Sequence, residues 1–147
     1  MRHRQQEAGF TLLEMLIVLV IVMSLTAIVL KFSLKTAETR ELERFFTQLQ
    51  LDIQYIQTYS MNQRQYIAMT FEGGTANRYV IQKNAFTNIY ERPFPKGVAF
   101  LPEESTMYML VYNGKGNVMT AGTLSFKTPQ GKKKVIITLG RGRARVE

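Results

Sequence analysis

The chain has 147 residues, which allows one modest domain and an anchor but not two full domains. It carries a net charge of +8, no cysteine and a single histidine, His3. Disulfide frameworks, thiolate nucleophiles and zinc–thiolate sites are thereby excluded, and past His3 there is no imidazole to act as base or metal ligand. The composition weighs against an enzyme, and no catalytic residue, metal site or cofactor is expected.

Residues Met1 to Gly9 are polar and include Arg2 and Arg4. An apolar run follows from Phe10 to Leu30, with one charge, Glu14, near its start. Such a run, roughly 20 residues, spans about 30 Å of hydrocarbon as a helix. A secretory signal peptide fits less well. Its apolar core is roughly 7–15 residues, and its small-residue cleavage site follows that core. Here the small residues, Ala8 and Gly9, precede the run, and the stretch KFSLKTAETRE after it has no Ala-x-Ala-type site. The run reads as an uncleaved membrane anchor.

No Gly or Pro occurs from Phe10 to Glu72, so nothing in that span breaks a helix. Beyond Lys35 the apolar residues fall at Leu42, Phe45, Phe46, Leu49, Ile53 and Ile56, with Ser60 in the same register. Steps of three and four mark one face of an amphipathic helix. Glu38, Glu41, Gln48, Asp52 and Gln54 are placed on its other faces. The spacing predicts one helix from about Phe10 to about Asn62, its first half in lipid and its second half packed on a domain.

After Arg64 the pattern changes to strands. Tyr66 to Phe71 is rich in aromatic and β-branched residues, Gly73-Gly74 makes a turn, and Arg78 to Gln82 returns. Phe86 to Tyr90 is a weaker candidate, followed by a loop with Pro93 and Pro95, and Val98 to Leu101 reads as a short strand. Met107 to Tyr112 leads into the turn Asn113-Gly114-Lys115-Gly116-Asn117. Thr123 to Thr128 pairs through Pro129-Gln130-Gly131 with Val135 to Leu139, and this last strand is expected to run on toward Val146. The expected fold is α+β: a long N-terminal helix, half anchor and half amphipathic, packed on a small antiparallel sheet. Three parts result: residues 1–9, an anchor over 10–30, and a head over 31–147.

The stretch Gly9-Phe10-Thr11-Leu12-Leu13-Glu14-Met15 resembles the processing site of type IV prepilins and type II secretion pseudopilins. The likeness joins a short charged leader, Gly then Phe, a Thr-Leu-Leu-Glu run and an immediate apolar helix. It implies cleavage after Gly9 by a membrane prepilin peptidase and N-methylation of the new N-terminus, Phe10. It also implies a role in assembly for Glu14. A glutamate inside an apolar run is costly to bury ionised and is a functional signal by default. Cleavage would create a positive α-amine nearby, and in the family this glutamate neutralises the amine of a neighbouring subunit. The bland alternative is a carboxylate that snorkels to water at the headgroup boundary. Charge alone leaves topology open, because Lys31 and Lys35 at the far end balance Arg2 and Arg4. The resemblance places the leader in the cytosol and the head outside the membrane.

Two departures narrow the likeness. No helix-breaking Pro lies midway along the helix, and no Cys-closed loop ends the chain. With the small head, these features resemble a minor pilin or pseudopilin, and the plan of the whole chain resembles the competence minor pseudopilins. Expected partners are then other pseudopilins, the prepilin peptidase, an assembly ATPase with its platform protein, and the membrane. The tail from Gly122-Thr123-Leu124-Ser125-Phe126 through Gly140-Arg141-Gly142-Arg143 also resembles that of the minor pseudopilin H of type II secretion. A protein-secreting filament therefore stays open beside DNA uptake. A membrane-anchored binding protein acting alone is a further alternative.

From Lys127 onward the chain carries Lys132, Lys133, Lys134, Arg141, Arg143 and Arg145, opposed only by Glu147. Strand alternation would set Val135, Ile137 and Leu139 on one side, continued by Arg141, Arg143 and Arg145. Such a row suits phosphates, and DNA is the polyanion a competence filament would meet. The bland reading is that lysine-rich turns keep sheet edges soluble. Tyr66, Tyr79, Tyr90, Tyr108 and Tyr112 are expected as half-buried sheet residues, not as a stacking platform. Glu103-Glu104 reads as an exposed loop after Pro102 and not as an acid–base dyad.

Overall fold

The computed structural model describes residues 11–83 and 87–147, and for residues 30–36 only the helical backbone. The chain divides into two compact units, residues 1–39 and 40–147. Helix α1, Leu12–Gln63, has residues in both, and its ends fall close to those the spacing predicts.

In the first unit the apolar side chains from Leu12 to Val29 are all exposed, for they show apolar groups on every side. In the second unit one apolar stripe is buried, Leu42, Phe45, Phe46, Leu49, Ile53 and Ile56 with Ser60 at its end, while Leu51, Tyr55 and Met61 stay exposed on other faces. The Ser60 hydroxyl is satisfied within the helix by the carbonyl of Gln57, 2.7 Å away.

The antiparallel sheet expected from the sequence is built as two four-stranded sheets. The first has the order β3-β2-β1-β5, with β1 Ile67–Glu72, β2 Arg78–Lys83, β3 Thr87–Pro93 and β5 Met109–Tyr112. The second has the order β4-β6-β7-β8, with β4 Ala99–Phe100, β6 Gly122–Thr128, β7 Gly131–Ile137 and β8 Ala144–Val146. Every named pairing is antiparallel. Alternation does the sorting on β1, where Ile67, Met69 and Phe71 are buried and their neighbours half-buried. Pro93 ends β3, an edge strand, where a missing N–H costs no ladder bond. Phe86, expected in that strand, lies outside the described residues.

One apolar cluster unites the helix stripe with both sheets, and Phe126 stands at its centre. Its ring contacts those of Phe45, Phe46, Phe71, Phe94 and Phe100 at centroid distances of 6.3, 5.7, 6.0, 5.8 and 5.7 Å. These rings come from the helix, both sheets and the loop after β3, so one side chain ties four segments together.

Three expectations need correction. Asp52, assigned by spacing to an outer face of the helix, is buried. It sits on the flank of the stripe between Leu49 and Ile56, where the first sheet closes over it. The carboxylate accepts hydrogen bonds from the Tyr79 hydroxyl, from Arg92 Nε at 3.1 Å and from Gln48 Nε2 at 2.8 Å. The Arg92 guanidinium also lies 5.8 Å above the Tyr90 ring. A buried carboxylate with three donors is tolerable where an unpaired one is not. Burial, and then the hydrogen bond to Asp52, hold the Tyr79 phenol far above its ordinary range, so it stays a donor.

The tyrosines do not behave as one class. Tyr79 and Tyr112 are fully buried, Tyr66 and Tyr108 are exposed just before β1 and β5, and Tyr90 alone is half-buried as expected. The last strand does not run on to Val146 either. β7 stops at Ile137, the chain turns over residues 138–143, and β8 comes back to pair with β7 at Val135↔Val146, Ile136↔Arg145 and Ile137↔Ala144.

Asp52→Ala should destabilise the full-length protein in detergent by about 3 kcal/mol, since it strands the Tyr79 hydroxyl and the Arg92 charge. Tyr79→Phe should cost only about 1 kcal/mol. Urea denaturation followed by near-ultraviolet circular dichroism reads both. A second expectation concerns alkali. Burial raises the Tyr112 hydroxyl from 10.0 to about 12. Above about pH 10 the unfolded chain gives up phenolic protons that the folded head retains, so stability should fall as pH climbs toward the folded value. Tyr112→Phe should make that decline shallower, measured as the urea midpoint against pH.

Candidate functional site

Two regions carry chemistry, and they belong to different units. The first is the start of α1. The Thr11 carbonyl accepts the first helical hydrogen bond, from the Met15 amide at 3.2 Å. The Thr11 Oγ1 accepts one from the Glu14 amide at 3.3 Å. Those two bonds define Thr11 as the N-cap and put Glu14 at the third helical position, where a carboxylate is favoured by the helix dipole. Thr-x-x-Glu is a capping-box sequence, so this helix start is legible in the chain itself. Gly9 and Phe10, the residues of the expected cleavage site, lie outside the described residues.

From Leu12 to Val29 the helix has a mean hydropathy of 2.8, with none of it buried. Eighteen residues give about 27 Å of helix, close to the hydrocarbon thickness of a bilayer. Its hydroxyls are satisfied internally: Ser24 Oγ donates to the Val20 carbonyl at 2.8 Å and Thr26 Oγ1 to the Val22 carbonyl at 2.7 Å. No hydroxyl of that pair needs water, which is what a lipid-facing or helix-facing surface requires.

The second region is the loop between β7 and β8. Gly140 and Gly142 have φ of +87° and +62°, a left-handed backbone that turns the chain back on itself. This breaks the expected arginine row. Leu139 is exposed instead of sharing the buried face of Val135 and Ile137, and alternation does not carry through to the arginines. Arg141 and Arg143 fall in the loop, whereas Arg145 lies on β8, opposite Ile136 and paired with Glu147.

The loop is fastened by its backbone. The Gln57 side-chain amide on α1 donates to the Arg141 carbonyl at 2.9 Å and to the Gly116 carbonyl at 2.8 Å. Tyr112 Oη donates to the Gly142 carbonyl at 2.9 Å, and the Val118 amide donates to the Gly140 carbonyl at 2.9 Å. A Cβ on residue 142 would drive into Val118 and Tyr112, so glycine is required there on space as well as on φ. The arginine side chains are left exposed. They form one wall of an open groove of about 600 Å³, whose other wall includes Gln50, Gln54, Gln57 and Thr58 of α1. Among the described residues no carboxylate pairs with Arg141 or Arg143. Two exposed arginines beside an open groove give this end of the head a local positive charge that suits an anion.

Gln57, which helps set this geometry, was not singled out by sequence, and Tyr112 was expected only as a half-buried sheet residue. Gln57 follows Ile56 of the buried stripe, and that position is the one signal in the sequence that points to it. Glu103 and Glu104 are exposed on a short 3₁₀ turn, Pro102–Glu104, and Glu104 accepts the Lys132 ammonium at 2.6 Å. Among the described residues no three His, Cys, Asp or Glu side chains group to hold a metal ion.

Residues 4–30 match the model of the prokaryotic N-terminal methylation motif. Among solved structures, the type IV minor pilin FimU of Pseudomonas aeruginosa has the same fold, with a TM-score of 0.57 at 15% identity. The likeness covers 75% of this chain and 89% of that one. A second crystal form of FimU gives a TM-score of 0.52, also at 15% identity, over 69% of this chain and 88% of that one. No curated protein sequence matches. The chain therefore joins a prepilin-type N-terminal methylation motif to the fold of a type IV minor pilin.

Proposed function

We propose that this chain is a minor pseudopilin, a structural subunit and not an enzyme, of a pilus-like filament that takes up transforming DNA. The competence subunit ComGD is the member of that group it most resembles. One observation carries the minor-pilin part of this reading: the methylation motif over residues 4–30 and a head of minor-pilin fold occur on the same chain. The competence part follows from the resemblance of the whole chain to the competence pseudopilins.

The chemistry follows from the two ends of the molecule. A prepilin peptidase cuts after Gly9 and methylates Phe10. Glu14 then neutralises the new α-amine of a neighbouring subunit, and the two charges leave water together, which fixes register during assembly. The exposed apolar surface from Leu12 to Val29 anchors the subunit in the membrane and later packs against neighbouring helices. The assembly ATPase and its platform protein drive that transfer. The head stands outside the membrane with the groove of Arg141 and Arg143 open, and Arg145 adds charge from β8. These arginines contact the phosphates of the incoming DNA.

A type II secretion pseudopilin is the second reading, favoured by the tail of glycine and arginine at residues 140–143, and the neighbouring genes separate the two. An anchored binding protein acting alone would keep its leader and tolerate Glu14→Ala.

The mass of the N-terminal peptide, with and without the native prepilin peptidase, should show a methylated Phe10 only when the peptidase is active. An intact Met1 leader beside active peptidase would overturn the pseudopilin reading. Glu14→Ala should be cleaved like the parent chain but enter sheared filaments roughly tenfold less, since the amine stays unpaired. The variant with both Arg141→Gln and Arg143→Gln should lose about tenfold in duplex DNA affinity at low salt. Its salt slope should fall by about 2, as expected for two lost phosphate contacts. Unchanged binding would remove DNA contact from the proposal and leave filament membership standing.

A further inference from the structure

Lysines gather at one end of the head, on the hairpin of β6 and β7 and on the loop after β3. The β6–β7 ladder runs from Gly122↔Ile137 to Thr128↔Gly131. Its open end lies level with Gln50 of α1, whose side-chain amide donates to the carbonyl of Ala144, the partner of Ile137. Its turn lies past Phe126, whose ring meets those of Phe45 and Phe46. The turn thus closes the end of the head that α1 enters at Arg40. The loop after β3 joins it there: Phe94 packs on Phe45, and a Cβ on residue 97 would strike Pro129. On these two segments Lys96, Lys127 and Lys132 are exposed and Lys133 is half-buried. Lys127 and Lys132 stand directly opposite each other, a like-charge pair that weakens a sheet. Glu104 neutralises Lys132, and among the described residues no carboxylate pairs with Lys96, Lys127 or Lys133. On α1 the charges of Arg40 and Arg44 are matched by Glu41 and Glu43, so the positive surplus belongs to the hairpin and the loop.

We propose that this lysine end rests on acidic phospholipid headgroups while the subunit is anchored in the membrane. The proposal depends on the anchor reading above. Only residues 30–39, ten in all, join the end of the apolar span at Val29 to Arg40. A chain of that length reaches at most about 35 Å even when extended, so the lipid surface is held close to this end. A short tether gives that surface an effective concentration that a partner arriving from solution lacks. Lysine ammonium groups are point charges on flexible stems and need no bidentate geometry, which suits a fluid layer of headgroups. Each lysine near an anionic surface favours docking by about fivefold. Extraction of the anchor has to break these contacts, so lipid composition sets how readily the subunit leaves the membrane.

The test places the full-length chain in vesicles of phosphatidylcholine alone, or of phosphatidylcholine and phosphatidylglycerol in equal parts. The chain has no cysteine, so Gln130→Cys gives a single labelling site on the hairpin turn. Lys115→Cys gives a control site on the turn that packs against Arg64, past the other end of α1. Energy transfer from either label to a headgroup dye reads the docked fraction. The label at position 130 should approach the dye in the acidic vesicles and withdraw when salt is raised, because salt screens the surface charge. The label at position 115 should not respond. Adding Lys96→Gln and Lys127→Gln, which break no ion pair among the described residues, should lower the docked-to-undocked ratio about 25-fold. Equal transfer from position 130 in the two kinds of vesicle overturns the proposal, and so does a double variant that responds to phosphatidylglycerol as the parent does. If added duplex DNA moves the label at position 130 and acidic lipid does not, the lysine end serves nucleic acid and the lipid contact is overturned. Release of the parent chain from the vesicles by alkaline carbonate would instead strike the anchor reading, and the proposal with it.

Discussion

The head depends on one stripe of side chains on α1. Leu42, Phe45, Phe46, Leu49, Ile53 and Ile56 form the surface that both sheets cover. Fully burying one large apolar side chain contributes about 1.5–3 kcal/mol, so six contribute on the order of 10 kcal/mol. That is as large as the whole net stability of a typical domain, about 5–15 kcal/mol. Without the helix, the inner faces of the two sheets would lose their shared partner and Phe126 two of its five aromatic contacts. Such a sheet pair has no reason to close.

Apolar burial is non-directional, so a stripe alone leaves the helix free to slide or rotate by small amounts. Polar contacts supply direction. Asp52 meets Tyr79 and Arg92 of the first sheet, while Gln57 and Gln50 reach the Arg141 and Ala144 carbonyls beside the second. Hydrogen bonds of defined length and angle tie one side of the helix to each sheet. The anchor segment makes the opposite use of the same secondary structure. It satisfies its own hydroxyls and leaves its whole apolar surface for lipid or for other helices.

Much of this was legible in the sequence, for stated reasons. The absence of Gly and Pro over Phe10 to Glu72 and the three-four spacing located the helix and its buried face. Turn residues located the hairpins, because glycine and proline act through local backbone geometry. What failed was anything that needs two distant segments at once. Asp52 looks solvent-facing until Tyr79 and Arg92 arrive from strands 27 and 40 residues away. The arginine row failed for a local reason: alternation assumes extended backbone, and Gly140 and Gly142 leave it with φ above zero. The Thr11 cap was in plain view, and was overshadowed by the cleavage motif that shares its residues.

The loop at residues 139–143 is held through carbonyl oxygens at Gly140, Arg141 and Gly142, not through the arginine side chains. An anchor of that kind is blind to what the side chains are. Position and chemistry are therefore inherited separately at this spot: the glycines, Gln57 and Tyr112 fix the platform, and the residues at 141 and 143 are free to drift. A lineage facing a different ligand could recharge or neutralise the groove in one or two mutational steps while its fold stayed in place.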